Sequence, residues 1–446
     1  MAMEMASARR RSVSSARQIV TISGGDHVVL WSGCALLASA SLLFILLAAA
    51  ATKSSGFRAA SSELSVVSKK DGAGAGVGEE EECYCGEAGR DGMLAEGKWV
   101  RDEMYHPLYE PRECPFVDVG FRCTENGRPD GGYARWRWRP AHCTLPRFDA
   151  KKLLRVLRNR RLVFIGDSIG RNQWESMLCM LSSAVSNSNS ITEENGNPIS
   201  KHKGYLSFRF PAPHNLTVEH YRSPYLVRRG GRPSRRQRAP RHVRSTLQLA
   251  AMDPRESRWR QADVLVFNSG HWWNLDRLQQ QLHCYFQDGK KLRLDMGVEA
   301  AYQRAMETLQ RWVLEEVDAT KTLAVFRTYS PAHNRGASNN GGSCAAETLP
   351  ELVVNGTRRW PGMMMQPEAF GGPGGLRVLN VTMMTAQRMD GHPATYNVEP
   401  SARLKMMPAA AGAGAGQRAD CSHWCLPGVP DAWNELLYAM IINKFS

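Results

Sequence analysis

Residues 28–51 read VVLWSGCALLASASLLFILLAAAA and contain no charged side chain. At a rise of about 1.5 Å per residue, a helix of that length crosses the roughly 30 Å hydrocarbon layer of a bilayer. A cleavable signal peptide would have a much shorter apolar core, so the expectation is an uncleaved anchor behind a short tail, residues 1–27. Arg9, Arg10, Arg11 and Arg17 precede the span, while Lys53, Arg58, Lys69 and Lys70 follow it at similar distances, so flanking charge does not decide orientation. The remainder of the chain does. Ten of the eleven cysteines lie beyond the span, with three glycosylation sequons at Asn215, Asn355 and Asn380. Both features belong to an oxidising, glycosylating lumen, which implies a single-pass type II arrangement.

A chain of 446 residues with 43% hydrophobic content can bury a large core, which excludes a wholly disordered protein. The formal net charge of +14 calls for an anionic partner. In a lumenal protein that means an acidic polysaccharide or a membrane surface, and no nucleic acid. Eight of the arginines crowd residues 228–244, RRGGRPSRRQRAPRHVR. So much Gly, Pro and Arg reads as a solvated loop, and no binding site is placed on it.

Residues 52–82 are rich in Ser, Ala, Gly and Glu and form a flexible stem that cannot pack a core. Residues 83–146 are dense in cysteine and aromatics but poor in periodicity, which indicates a loop-rich subdomain stapled onto a catalytic domain at 147–446. Within that domain, apolar runs at 162–165, 264–267, 323–326 and 376–381 predict strands. Helical patterns occupy 171–181, 299–317 and 431–442. The alternation predicts an α/β fold around a parallel sheet, with reacting groups beyond the carboxyl ends of the strands.

The first strand runs into Gly166-Asp167-Ser168 and then a helix, which exposes Ser168 for attack at a helix N-terminus whose amides can hold an oxyanion. Near the C-terminus, Asp420 precedes His423 by three residues, a spacing that lets a carboxylate fix an imidazole tautomer while the other nitrogen faces a serine. Cys421, His423 and Cys425 could instead ligate a metal, but a fourth ligand is lacking and lumenal cysteine pairs favour disulfides, so no metal is expected. Gly166, Asn172 and Asn268 are candidates for the oxyanion or substrate site beside the Ser168 amide. Trp272 and Trp273, which come after a strand's carboxyl end, are candidates to stack on sugar rings.

The GDS turn, the segment VLVFNSGHWW at 264–273, RMDGHP at 388–393 and DCSHWCLPGVPDAWNELL at 420–437 resemble the trichome birefringence-like family of plant polysaccharide O-acetyltransferases. The resemblance runs from about Cys83 to the C-terminus. It implies an SGNH-type three-layer α/β/α fold and acetylation of a wall polymer in the Golgi lumen, xylan or pectin foremost. It makes Ser168 the nucleophile, His423 the base and Asp420 its partner, with an acetyl-serine intermediate and no cofactor beyond an acetyl donor, acetyl-CoA or another carrier. It also implies four disulfides: Cys83 or Cys85 with Cys143, Cys114 with Cys179, Cys123 with Cys425, and Cys344 with Cys421. Cys284 is left without an assigned partner. An acetyl esterase would use the same three residues with water as acceptor, and a catalytically silent glycan-binding protein would keep the same cleft.

Overall fold

The computed structural model describes residues 94–104, 107–200, 203–234, 239–334, 343–354, 375–402 and 419–446. The tail, the span at 28–51, the stem, Cys83, Cys85 and Asn355 lie outside them. Every described residue belongs to one compact unit, residues 78–446. Among the described residues no helix is long and apolar enough to cross a membrane.

The described chain opens with β1 (Gly97–Arg101), paired antiparallel with β2 (Trp136–Pro140). Helix α1 (Ala150–Val156) begins where the Asp149 carboxylate accepts the Lys152 amide, an N-cap that satisfies one of the helix's orphan donors. Next come β3 (Arg161–Gly166), α2 (Ser168–Ser182), β4 (Thr192–Glu193), β5 (Tyr205–Arg209), β6 (Thr217–Arg222), β7 (Val227–Gly230) and β8 (Ser245–Met252). The rest comprises α3 (Glu256–Trp259), β9 (Val264–Asn268), β10 (Cys284–Asp288), β11 (Lys291–Arg293), α4 (Val298–Glu316), β12 (Leu323–Arg327), β13 (Arg377–Leu379), α5 (Thr382–Ala386) and α6 (Val429–Phe445).

The principal sheet has the order β13-β12-β9-β3-β6-β5-β4. Its first five strands are parallel, β5 runs antiparallel to β6, and β4 runs antiparallel to β5. The sheet is therefore mixed, which corrects the parallel sheet expected. The link from β5 to β6 is short enough to reverse the chain but too short for a helical crossover, so the edge turns antiparallel. A second sheet, β11-β10-β8-β7, was not legible as such in the sequence.

The parallel strands are buried on both faces, which is why they read as continuous apolar runs rather than alternating ones. Leu162, Phe164, Val264, Val266, Leu323 and Val325 pack on one side with Leu153 of α1, Trp174 and Leu178 of α2, and Trp433 and Leu437 of α6. Val163, Ile165, Leu265, Phe267, Ala324 and Phe326 pack on the other with Ala301, Ala305 and Leu309 of α4 and with Leu247 and Phe286 of the second sheet. Two cores flank one sheet, giving three layers. Each large side chain so buried contributes about 1.5 to 3 kcal/mol of transfer free energy.

Covalent and polar ties join the residues before α1 to this body and brace its C-terminal segment. Cys114 bonds to Cys179 at the end of α2, Cys123 to Cys425, and Cys344 to Cys421, the pairings the resemblance implied. Cys143 is also disulfide-bonded, and its candidate partners Cys83 and Cys85 lie outside the described residues. Cys284 is a free, buried thiol at the start of β10. The RMDGHP segment is a structural clamp: Arg388 grips Asp390 through two hydrogen bonds of 2.8 and 2.9 Å, donates to the Tyr133 carbonyl, and lies over the Trp99 ring. Arg128 completes it by donating to the carbonyls of Asp390 and His392.

Candidate active site

Strand β3 ends at Gly166, and α2 begins at Ser168. Between them Asp167 caps the helix, its carboxylate accepting from the amides of Ile169 (2.9 Å) and Gly170 (3.4 Å). Asn268, at the carboxyl end of the neighbouring β9, donates its Nδ2 to the same carboxylate at 2.6 Å. A Cβ on Gly166 or on Gly170 would come within 1.9 Å of the Asn268 Oδ1, so both glycines are required for this side chain to lie across the turn. Burial raises the Asp167 pKa, but His271, Arg327 and the Asn268 bond outweigh it and hold the carboxyl well below the usual carboxylate range. The turn thus rests on a fixed anion, and Ser168 stands at its outer edge.

The second half arrives from the C-terminal segment. Asp420 and Ala394 exchange backbone hydrogen bonds of 2.9 Å, and Cys421 is bonded to Cys344, so the backbone there is held from both sides. Asp420 Oδ1 accepts from the Ser422 and His423 amides at 3.1 Å, folding the carboxylate back over its own turn. Its Oδ2 lies 2.8 Å from His423 Nδ1, and His423 Nε2 lies 2.8 Å from Ser168 Oγ. A carboxylate accepts only, so Nδ1 carries the proton and Nε2 is left to accept from the serine hydroxyl. Desolvation alone would raise the Asp420 pKa; the His423 ring and the backbone donors outweigh it and keep the group ionised. The His423 ring is stacked on Phe121, with centroids 5.3 Å apart.

The serine opens into a cleft of about 1390 Å³ lined by Ser168, Asp420, His423, Arg222, Trp272 and the segment from Pro115 to Phe121. That segment is bracketed by Cys114 and Cys123, which tie its ends to α2 and to the residues after His423. Arg171, one turn after Ser168, bonds Asp118 at 3.1 Å and Glu175 at 2.6 Å, and Glu175 accepts the Asp118 amide. His220 also lines the cleft, where burial and nearby Arg171 push its pKa down to about 3 and keep it neutral.

Scanned against family models, residues 145–440 match PC-Esterase, described as a GDSL/SGNH-like acyl-esterase family found in Pmr5 and Cas1p, and residues 93–144 match the PMR5 N-terminal domain. The chain is 44% identical to trichome birefringence-like protein 9 of Arabidopsis thaliana over 78% of this chain and 83% of that relative. The chain belongs to the trichome birefringence-like family. Trichome birefringence-like protein 7 of the same plant is 42% identical over 79% of this chain and 73% of the relative, and the protein named trichome birefringence is 37% identical over 79% and 56%. This family is one of cell-wall polysaccharide acetyltransferases, and its N-terminal module supplies here the cleft wall from Pro115 to Phe121.

Among the candidates of this family member, Ser168, His423, Asp420 and Trp272 meet at the cleft, and four do not serve as expected. Asn172 turns away from it: its Oδ1 accepts the Trp424 amide at 2.8 Å and its Nδ2 donates to the Trp424 carbonyl at 3.2 Å, so both ends of the amide are occupied. Asn268 is spent on Asp167, and Gly166 contributes the space for it. Trp273 is core, packed against Tyr225, Phe286 and Tyr302 with its Nε1 on Ser269. Cys421 and Cys425 are in disulfides and are not thiolate ligands. Asn215 is exposed, while the side-chain Oδ1 of Asn380 accepts from the Thr328 hydroxyl and from the Thr382 amide. Sequence reasoning missed Phe121, Asp118 and Arg171. Only Arg171, at helical spacing from Ser168, carried a signal. It also missed His392, whose Nδ1 holds the His423 carbonyl at 2.6 Å.

Proposed function

We propose that this protein transfers acetyl groups to hydroxyls of a plant cell-wall polysaccharide, xylan or pectin, through an acetyl-serine on Ser168. The observation that supports it above all is the unbroken series Asp420, His423 and Ser168, each link 2.8 Å, at the floor of an open cleft. His423 Nε2 accepts the hydroxyl proton as Ser168 Oγ attacks the carbonyl carbon of the acetyl donor. The Ser168 amide, at the start of α2, faces the developing oxyanion. The tetrahedral species collapses, the protonated imidazole returns its proton to the leaving group, and the acetyl ester remains on Ser168. A sugar hydroxyl then attacks that ester, gives its proton to His423, and leaves as the acetylated sugar while the proton returns to Ser168 Oγ.

The Asn172 and Asn268 side chains take no part as oxyanion donors and act by fixing Trp424 and Asp167. The apolar span at 28–51, the disulfides and the exposed Asn215 sequon support a Golgi-lumenal, membrane-anchored setting for this chemistry. The test is acetyl transfer by the full-length protein from labelled donor to deacetylated xylan and pectin. Ser168→Ala and His423→Ala each abolish most transfer, and the double variant loses little more than either, because residues acting as one unit are not additive. Release of free acetate at one rate with or without polymer would make it an esterase.

A further inference from the structure

Trp272 stands on the cleft wall with two guanidinium groups against its ring. The Arg277 guanidinium carbon lies 3.8 Å from the ring centroid and that of Arg222, the last residue of β6, lies 5.2 Å from it. Arg222 shares the cleft with Ser168, Asp420 and His423. Several other half-buried or buried arginines hold a carboxylate: Arg161 holds Glu219, Arg171 holds Asp118 and Glu175, and Arg255 holds Asp253. Arg222 and Arg277 are also half-buried, yet among the described residues neither guanidinium is bonded to a carboxylate or any other acceptor.

Stacking on an aromatic uses the face of a guanidinium and leaves its edge N–H groups to bind a planar anion. The carboxylates on the cleft wall do not neutralise them. Asp118 is held by Arg171 and the Gly120 amide, Glu193 by the amides of Asn195, Asn197 and Ser207, and Asp420 by His423.

We propose that Arg222 and Arg277, mounted on Trp272, form a subsite for the carboxylate of a uronosyl residue in the acceptor chain, so that the polymer acetylated is an acidic one. This deepens the acetyltransferase reading and rests on it. A uronate sets a singly charged planar carboxylate beside a pyranose ring with an apolar C–H face, which suits two guanidinium edges next to an indole. A phosphate-bearing acetyl donor is the competing anion.

Binding without turnover separates them. The full-length protein is titrated calorimetrically, with no donor present, with an oligogalacturonide and with its methyl ester of equal length, and separately with acetyl-CoA. The unaltered protein binds the acid more tightly than the ester. Arg222→Gln and Arg277→Gln each weaken binding of the acid by about tenfold or more, the loss of a charge-assisted pair, and leave the ester unchanged. Equal affinity of the unaltered protein for acid and ester would overturn the proposal without use of any variant. So would variants that weaken acid and ester alike, or that weaken acetyl-CoA instead. Because no acetyl transfer is needed for this readout, failure of the subsite and failure of the acetyltransferase reading give different results.

Discussion

Replacing Asn172 by Ala separates a positioning role from an oxyanion role. Trp424 is fully buried, and the Asn172 side chain bonds both its amide and its carbonyl, at 2.8 and 3.2 Å. Truncation strands two buried backbone groups, each costing about 1 to 3 kcal/mol when left without a partner. The expected destabilisation is therefore about 2 to 6 kcal/mol, toward the lower end if a water enters the vacated space. His423 adjoins Trp424, so the same change loosens the imidazole and lowers the transfer rate. Asn172→Asp keeps the acceptor for the Trp424 amide but loses the donor to its carbonyl, and is expected to fall between the parent and Asn172→Ala in both measures. Thermal unfolding and initial acetyl-transfer rates on the same preparations provide the assay. An Asn172→Ala protein that unfolds like the parent yet loses most of its activity would refute this reasoning and return Asn172 to the oxyanion site.

Breaking the Cys123–Cys425 bond with paired serines opens a loop of 302 residues, already shortened by the Cys114–Cys179 and Cys344–Cys421 bonds, and is expected to cost about 5 kcal/mol in the chain-entropy model. Chemical unfolding reads it, and a loss below about 1 kcal/mol would mean that the bond adds little to the noncovalent packing around it. Burial, with Asp431 adding to it, pushes the Glu435 carboxyl from 4.5 up to about 7. Its folded state retains a proton that the unfolded chain releases, so its contribution is fully present below about pH 4.5 and is lost as pH rises through about 7. Glu435→Gln should accordingly gain in melting temperature over the parent between about pH 5 and pH 7.5, and a constant difference would contradict the assignment.

The central strands were legible because burial on both faces leaves no polar interruption: 162–165, 264–267 and 323–326 each fall within an observed strand. The second sheet was not, since β8 carries Gln248 and the exposed Ala250 among its apolar residues, and β10 is a short run of mixed character. Ser168, Asp420 and His423 could be read because each sits in a local pattern, a strand-to-helix turn or a spacing of three, whose geometry is set by the backbone. Their surroundings depend on contacts between distant segments. Phe121 reaches His423, and Asp118 reaches Arg171, where that stretch folds back against α2 and the C-terminal segment, to which Cys114 and Cys123 fasten it. Asn172 and Asn268 misled for the same reason: an asparagine beside a catalytic turn is as apt to hold backbone as to hold an oxyanion, and the sequence does not say which acceptors come near. Trp272 and Trp273, adjacent in sequence, part because one ring faces the cleft and the other the core between α4 and the second sheet.

The most direct measurement of the central claim is peptide mass mapping of the full-length protein after brief exposure to isotopically labelled acetyl donor. One labelled acetyl group on the peptide containing Ser168, discharged onto sugar hydroxyls when deacetylated polysaccharide is added and missing from Ser168→Ala, is the result predicted. Full transfer by Ser168→Ala, or label that never resides on that peptide while the polymer becomes acetylated, would contradict it.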